Sequence, residues 1–132
     1  MTCTPVNKIF IHSKPPHEQH PLGKYAEILA ARHLENQGYQ IVSRNYRYKK
    51  AEIDIIAQKE QLLCFVEVKA RTSSHFGYPE TFVKLYQQNL IKAAAENYIH
   101  TSNWNTTIRF DIISILQKNN VVELTHFEDA FI

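Results

Sequence analysis

Two short apolar segments that carry charge constrain this chain more than any other feature. Ala51-Glu52-Ile53-Asp54-Ile55-Ile56-Ala57 and Leu63-Cys64-Phe65-Val66-Glu67-Val68-Lys69 are rich in β-branched and apolar residues, as buried strands are, yet both carry carboxylates where a core would sit. The second adds a lysine two residues after its acid. Between them, Gln58-Lys59-Glu60-Gln61 is a connection of hairpin length, so the two strands are expected to be antiparallel neighbours. Side chains alternate across a strand, which places Glu52, Asp54 and Ile56 on one face of the first and Phe65, Glu67 and Lys69 on one face of the second. Asp54 and Glu67 are thereby expected to converge.

The remaining chain supplies a frame for that pair. At 132 residues with 44% hydrophobic content, the chain is sized for one domain with a packed core. Four of the five prolines fall at or before Pro21 without sustained periodicity, so residues 1–20 read as an irregular N-terminal arm and residues 21–132 as a single domain. Leu22, Ala26, Leu29, Ala30, His33 and Leu34 recur at helical steps ahead of Gly38, predicting a helix from Leu22 to Gln37. Tyr39–Tyr48 predicts a strand. After a loop from Arg71 to Pro79, a helix is expected from Glu80 to His100 with an apolar stripe through Phe82, Leu85, Tyr86, Leu90, Ala93 and Tyr98. Strands follow at Thr107–Leu116 and Val121–Thr125, with Lys118-Asn119-Asn120 as their turn. The order α-β-β-β-α-β-β predicts an α/β fold, a mixed sheet of about five strands flanked by two main helices, with the second helix crossing over from the third strand to the fourth.

Charge and cysteine usage narrow the function classes. Fifteen Lys plus Arg against thirteen Asp plus Glu leave a net charge of +2, too close to neutral for charge alone to announce a nucleic-acid partner. Locally the picture differs: Arg44, Arg47, Lys49 and Lys50 fall in an acid-free stretch interleaved with Tyr46 and Tyr48, a pattern suited to phosphate. Cys3 and Cys64 give neither a disulfide framework nor a thiolate metal site, in keeping with a reducing cytoplasm. No apolar run approaches a bilayer span and no signal peptide is evident, so neither membrane insertion nor export is expected.

Hydrolysing a phosphodiester requires neutralising the phosphate, generating a hydroxide-like nucleophile and stabilising the departing oxygen, and a hard divalent ion held by carboxylates serves all three. Asp54 and Glu67 supply such ligands for Mg²⁺ or Mn²⁺, the backbone carbonyl of Val68 can complete the shell, and Lys69 is placed to orient water or offset developing charge. Alone, an acid-x-lysine triplet arises by accident about once in a chain this long. Its apolar context gives it weight, because an unpaired buried charge costs several kcal/mol or shifts its pKa until neutral. The competing reading is a Glu67–Lys69 or Asp54–Lys69 ion pair on a solvated sheet face. Glu27 shares a helical stripe with Ala30 and Leu34 and is either a further ligand, directly or through water, or a rim carboxylate. Gln87 precedes Ile91, Ala94 and Tyr98 on the inward series of its helix and is a candidate to hold water or phosphate. His12, His17 and His20 read as a solvated tail, His33 as a helix-face residue, Arg109 and Asp111 as an ion pair supporting the sheet, and Trp104 as a packing residue.

Gly23 with Glu27, Gly38-Tyr39, Arg44-Asn45, Glu52-Ile53-Asp54-Ile55-Ile56, Phe65-Val66-Glu67-Val68-Lys69-x-Arg71, Phe76-Gly77-x-Pro79 and Arg109-Phe110-Asp111 together resemble the YraN-type bacterial proteins, from about Pro21 to the last strand. The resemblance implies a restriction-endonuclease-like fold similar to Holliday junction resolvases. It further implies a PD-(D/E)xK-type site with Asp54, Glu67 and Lys69 as its catalytic set and Glu27 and Gln87 as accessories. On that reading the protein is a Mg²⁺- or Mn²⁺-dependent endonuclease acting on DNA, with Arg44, Arg47, Lys49, Lys50 and Arg71 as nucleic-acid contacts. The alternative is a module that keeps the nuclease scaffold and binds nucleic acid or a protein without cutting. Two residues depart from the family pattern: Ala51 stands where glycine is usual, and Tyr86 stands where a lysine precedes the glutamine, which subtracts a phosphate contact. A C2 homodimer would suit a substrate with two strands to cut.

Overall fold

Leu63 to Glu67 is buried at every position, and a strand hidden on both faces must lie inside a sheet covered on both sides. The computed structural model describes residues 5–12, 22–72, 83–118 and 121–131. Its elements are β1 (Pro5–His12), α1 (Leu22–Asn36), β2 (Gln40–Tyr48), β3 (Ala51–Lys59), β4 (Leu62–Arg71), α2 (Leu85–Ser102), β5 (Thr107–Lys118) and β6 (Val121–Phe127). They form an α/β fold with a six-stranded mixed sheet in the order β1-β6-β5-β4-β3-β2. Only β4 and β5 pair in parallel, from Leu62↔Thr107 to Arg71↔Leu116, and such a pair needs a crossover, which α2 supplies as expected. β3 and β4 are the expected antiparallel neighbours.

Each helix covers one face. Ala26, Ala30 and Leu34 of α1 pack on Ile55, Ala57, Cys64, Val66, Ile113 and Leu124. Ile91, Ala94 and Ala95 of α2 pack on Ile53, Ile56, Phe65, Phe110 and Ile112. Phe65 stacks on Phe110 at 5.5 Å between ring centroids and Phe110 on Phe131 at 5.2 Å, and burying each such ring contributes about 2–3 kcal/mol. Both helices end on residues that accept a left-handed backbone. Gly38 takes φ +93° beyond α1 while the Tyr39 amide returns to Leu34 O at 2.9 Å. Asn103 takes φ 57° beyond α2 while the Trp104 amide returns to Ile99 O at 3.1 Å.

Several expectations change. The segment Pro5–His12, expected within an irregular arm, forms a sixth strand paired antiparallel with β6. That pairing satisfies the polar edge β6 would otherwise present, and Pro5 sits at the strand's first residue, where a missing amide costs least. The count is therefore six strands rather than five. Leu85, Tyr86 and Ala93, expected on the apolar stripe of the second helix, are exposed, and the buried face runs instead through Ile91, Ala94 and Ala95. This is the series that begins at Gln87. The expected helical start at Glu80, the His75-Phe76-Gly77 loop, and His17 and His20 lie outside the described residues. No helix among the described residues is long and apolar enough to cross a membrane.

Candidate active site at a strand fork

The β3–β4 ladder runs from Lys59↔Leu62 to Ile55↔Val66 and ends there. Beyond it, Ile53, Glu52 and Ala51 stay paired with Tyr46, Arg47 and Tyr48 of β2, whereas Glu67, Val68 and Lys69 stay paired with Ile112, Ile113 and Ser114 of β5. The strands fork, and Asp54 and Glu67 are the first residues past the branch. The Val68 amide, which has no strand partner on this side, donates instead to Asp54 Oδ2 at 2.8 Å. A strand residue projects its N–H and C=O toward the same edge, so the Val68 carbonyl opens into the same fork.

Strict alternation fails at the branch. Ala51 and Ile53 pack in the α2 layer with Ile56, while Ile55 and Ala57 pack in the α1 layer. The expected placement of Glu52, Asp54 and Ile56 on one face is thus corrected: the phase slips between Ile53 and Ile55. Across from it, Asn45 lies between the pairs Arg44↔Ile55 and Tyr46↔Ile53 with φ 53°, a left-handed conformation that asparagine tolerates. The slip lets Asp54 be reached from both layers.

Five expected residues meet there. Glu67, only 8% exposed, accepts a hydrogen bond from Gln87 Nε2 at 3.0 Å and pairs with Lys69 Nζ at 3.4 Å. Lys69 Nζ also donates to Gln87 Oε1 at 3.4 Å, closing a triangle of acid, ammonium and amide. Asp54 lies within electrostatic reach of Glu67, of Glu27 on α1 and of Glu52, so four carboxyls crowd one spot. Burial, then the charge of Glu67, pushes the Asp54 pKa up to about 8. Burial also raises Glu67, against the pull of Lys69 and Gln87, and burial followed by Glu52 raises Glu27. The Asp54 and Glu67 side chains open on a cavity of about 270 Å³ walled by Lys50, Glu52, Gln87 and Leu90.

This donor set is one of hard oxygens held together against their own repulsion, which a cation would relieve, and its chemistry fits Mg²⁺ or Mn²⁺. Among the described residues no three His, Cys, Asp or Glu side chains form a closed ligand set. The protein's share of a shell would therefore be Asp54, Glu67 and the Val68 carbonyl, with Glu27 near enough to reach a bound water, a composition suited to an ion that keeps several waters.

The basic residues divide. Lys50 lines the cleft itself. Lys49 lies over the Tyr48 ring at 5.3 Å, and Arg47 makes a loose pair with Glu52 at 3.7 Å. Arg44, exposed on β2, partly offsets the rise at Glu27, and Arg71 donates to Ala70 O at 3.0 Å. Sequence reasoning offered Lys50 as a phosphate contact and missed Glu52 as a cleft-lining group, although Glu52 stands two residues before Asp54 on the same strand and Lys50 is the turn residue just ahead of it.

A second buried polar cluster lies in the α1 layer. Arg109 forks onto Asp111 with Nε–Oδ1 and Nη2–Oδ2 contacts of 2.8 and 2.7 Å, bearing out the expected ion pair. His126 Nε2 meets the same Asp111 Oδ2 at 2.7 Å, His33 Nε2 meets His126 Nδ1 at 3.1 Å, and the Asp129 amide donates to Asp111 Oδ1 at 3.1 Å. Arg109 also reaches Tyr39 Oη at 2.7 Å and Glu128 at 3.2 Å. His33, expected on the helix face, is buried. Trp104 packs against the α2 layer and donates to Thr107 O at 3.1 Å.

Fold and cleft define the class first: a mixed-sheet α/β protein with an oxygen-rich cleft between diverging central strands. The profile of the family described as uncharacterised protein family UPF0102 matches residues 26–115, a segment that includes Glu27, Asp54, Glu67, Lys69 and Gln87. A UPF0102 protein of Flavobacterium psychrophilum is 44% identical over 114 residues, covering 86% of this chain and 96% of the relative. Relatives from Chlorobium limicola, 42% identical over 122 residues, and Clostridium perfringens, 41% over 113, cover 87% and 83% of this chain and 95% and 93% of their own lengths. The chain belongs to the UPF0102 family, the YraN-type proteins.

Proposed function

We propose that this UPF0102 protein is a divalent-cation-dependent endonuclease that hydrolyses phosphodiester bonds in DNA. The observation that carries the reading is the fork: Asp54 and Glu67 line one cleft, close enough for each to disfavour the other's charge, where Lys69 and Gln87 also arrive. Asp54, Glu67 and the Val68 carbonyl would hold Mg²⁺ or Mn²⁺, which when bound supplies charge neutralisation on the phosphate and a more acidic water. Lys69 directs an ammonium toward the attacking water and the phosphate, and Gln87 fixes both Glu67 and Lys69 so that neither must reorganise during the reaction. In hydrolysis water adds to phosphorus, the bond to the departing sugar oxygen breaks, and one proton of the water ends on that oxygen. Lys50, at the cleft wall, and Arg44, Arg47 and Lys49 along the adjoining edge offer cations to the flanking phosphates.

Cleavage of branched, single-stranded and duplex DNA is measured with and without Mg²⁺. Wild type is expected to cut with Mg²⁺ only, and Asp54→Ala and Lys69→Ala to lose at least about a hundredfold in rate. Equal activity in all three proteins would mean that the cutting comes from another source. A non-cutting nucleic-acid module is the second reading, and the engagement of the Lys69 ammonium by both Glu67 and Gln87 favours it. On that reading salt-dependent binding persists without turnover, weakens when Arg44, Arg47, Lys49 and Lys50 are replaced, and ignores Lys69→Ala.

A further inference from the structure

Between α2 and the tip of the β2–β3 hairpin runs a second cavity of about 490 Å³, with Tyr48, Lys49, Ala93, Glu96, Asn97 and His100 in its wall. The next residues on each side, Lys50 and Ala51 on the hairpin and Leu90 and Ile91 on the helix, line the carboxylate cleft. The two cavities therefore follow one seam, extending along α2 for about 15 Å from Gln87 to Asn97. Asn97 Nδ2 donates to Tyr46 Oη at 2.6 Å and Tyr46 packs edge-to-face on Tyr98 at 5.3 Å, so helix and hairpin are braced and the seam is already shaped.

We infer that this seam binds an unpaired stretch of the nucleic acid whose phosphate lies in the cleft. The inference rests on the endonuclease reading for its starting point and on the seam's own chemistry for its occupant. Tyr48 lies half-buried in the seam wall with the Lys49 ammonium over its ring, 5.3 Å from the centroid, a pairing of ring and cation suited to a nucleobase and its phosphate together. Base faces are free to stack on a side chain only where the strand is unpaired, because a duplex buries them against one another. Glu96 weakens the hold on phosphate at the far end of the seam and offers an acceptor to base amino groups. A cavity of this size takes one strand, and a duplex resting on the hairpin would bridge over it.

The test measures fluorescence anisotropy of a labelled single-stranded oligonucleotide, and of the same strand annealed to its complement, in EDTA so that no cutting occurs. Wild type is expected to prefer the single strand. Tyr48→Leu is expected to weaken single-strand binding about tenfold with duplex affinity unchanged. Ala93→Glu, at an exposed helix position, should do the same by filling the seam with a like charge, and Tyr48→Phe, which keeps the ring, should restore binding. Equal affinity for both DNAs in wild type, parallel losses on both, or a Tyr48→Phe as weak as Tyr48→Leu would each overturn the inference. A protein that passes this test but never cuts with Mg²⁺ keeps the seam and loses the endonuclease. One that cuts duplex DNA without regard to Tyr48 does the reverse.

Discussion

The cleft at Asp54 and Glu67 and the cluster around Asp111 are built from the same kinds of residue, in the same sheet, and are tuned in opposite directions. Asp111 is fully buried yet satisfied. Burial alone would raise its pKa, but hydrogen bonds from His126 and Arg109 overcome that and hold it at about 2. Asp54 meets another acid where Asp111 meets a guanidinium, and it ends near 8. One site uses charge to complete the fold. The other crowds carboxyls in a state that a bound cation would relieve, which is the contrast the proposed function draws on.

The two sites pull stability in opposite directions with pH. Asp111 and His33 titrate lower in the folded protein than outside it, His33 falling from 6.5 to about 4 through burial and then the neighbouring His126. Their contributions are complete above the ordinary values and are lost as pH falls through the folded ones. Asp54 titrates higher, so its contribution is complete below its ordinary value of 3.8 and is lost as pH rises toward 8. The cluster thus makes stability fall as pH drops below about 6.5, and the cleft of the metal-free protein makes it fall as pH rises from about 3.8 to about 8.

Asp111→Ala tests the cluster most severely. Removing the acid leaves Arg109 and His126 facing an empty site, and urea unfolding at neutral pH is expected to show a loss of about 3–5 kcal/mol. A loss under about 1 kcal/mol would put Asp111 on the same footing as a surface charge. On the cleft side, Mg²⁺ or Mn²⁺ at a hundred times its dissociation constant should stabilise wild type by about 2.7 kcal/mol in thermal melts, flatten the decline that runs up to about pH 8, and do neither in Asp54→Ala. Identical shifts in both proteins would place the cation elsewhere. His33→Leu removes the partner of His126 Nδ1 and should cost about 1–2 kcal/mol at neutral pH, while making the acid limb between pH 6.5 and 4 shallower. An unchanged limb would assign the acid sensitivity to another group. Asp54→Asn keeps an oxygen for the Val68 amide but removes one repelling carboxyl, so it is expected to raise stability by about 1 kcal/mol at neutral pH while abolishing the cation effect.

Much of the frame could be read from short stretches of chain. The recurrence of Ala26, Ala30 and Leu34 ahead of Gly38 placed α1 to within a residue, the length of Gln58–Gln61 made β3 and β4 neighbours, and the series Gln87, Ile91, Ala94 turned the glutamine inward. Period two set Arg109 beside Asp111, and the hairpin's length set Asp54 near Glu67. All of these depend on spacings of a few residues, where backbone geometry alone sets which side chains share a face. The strand at Pro5–His12, the fork past Ile55, the phase slip opposite Asn45 and the burial of His126 could not be read this way. Each depends on a partner brought from elsewhere: β1 needs β6, the fork needs β2 and β5 to draw β3 and β4 apart, and His126 meets a histidine 93 residues away. Periodicity supplied the candidates for the cleft, and long-range strand pairing, whose energy no local pattern encodes, turned two neighbouring acids into a site.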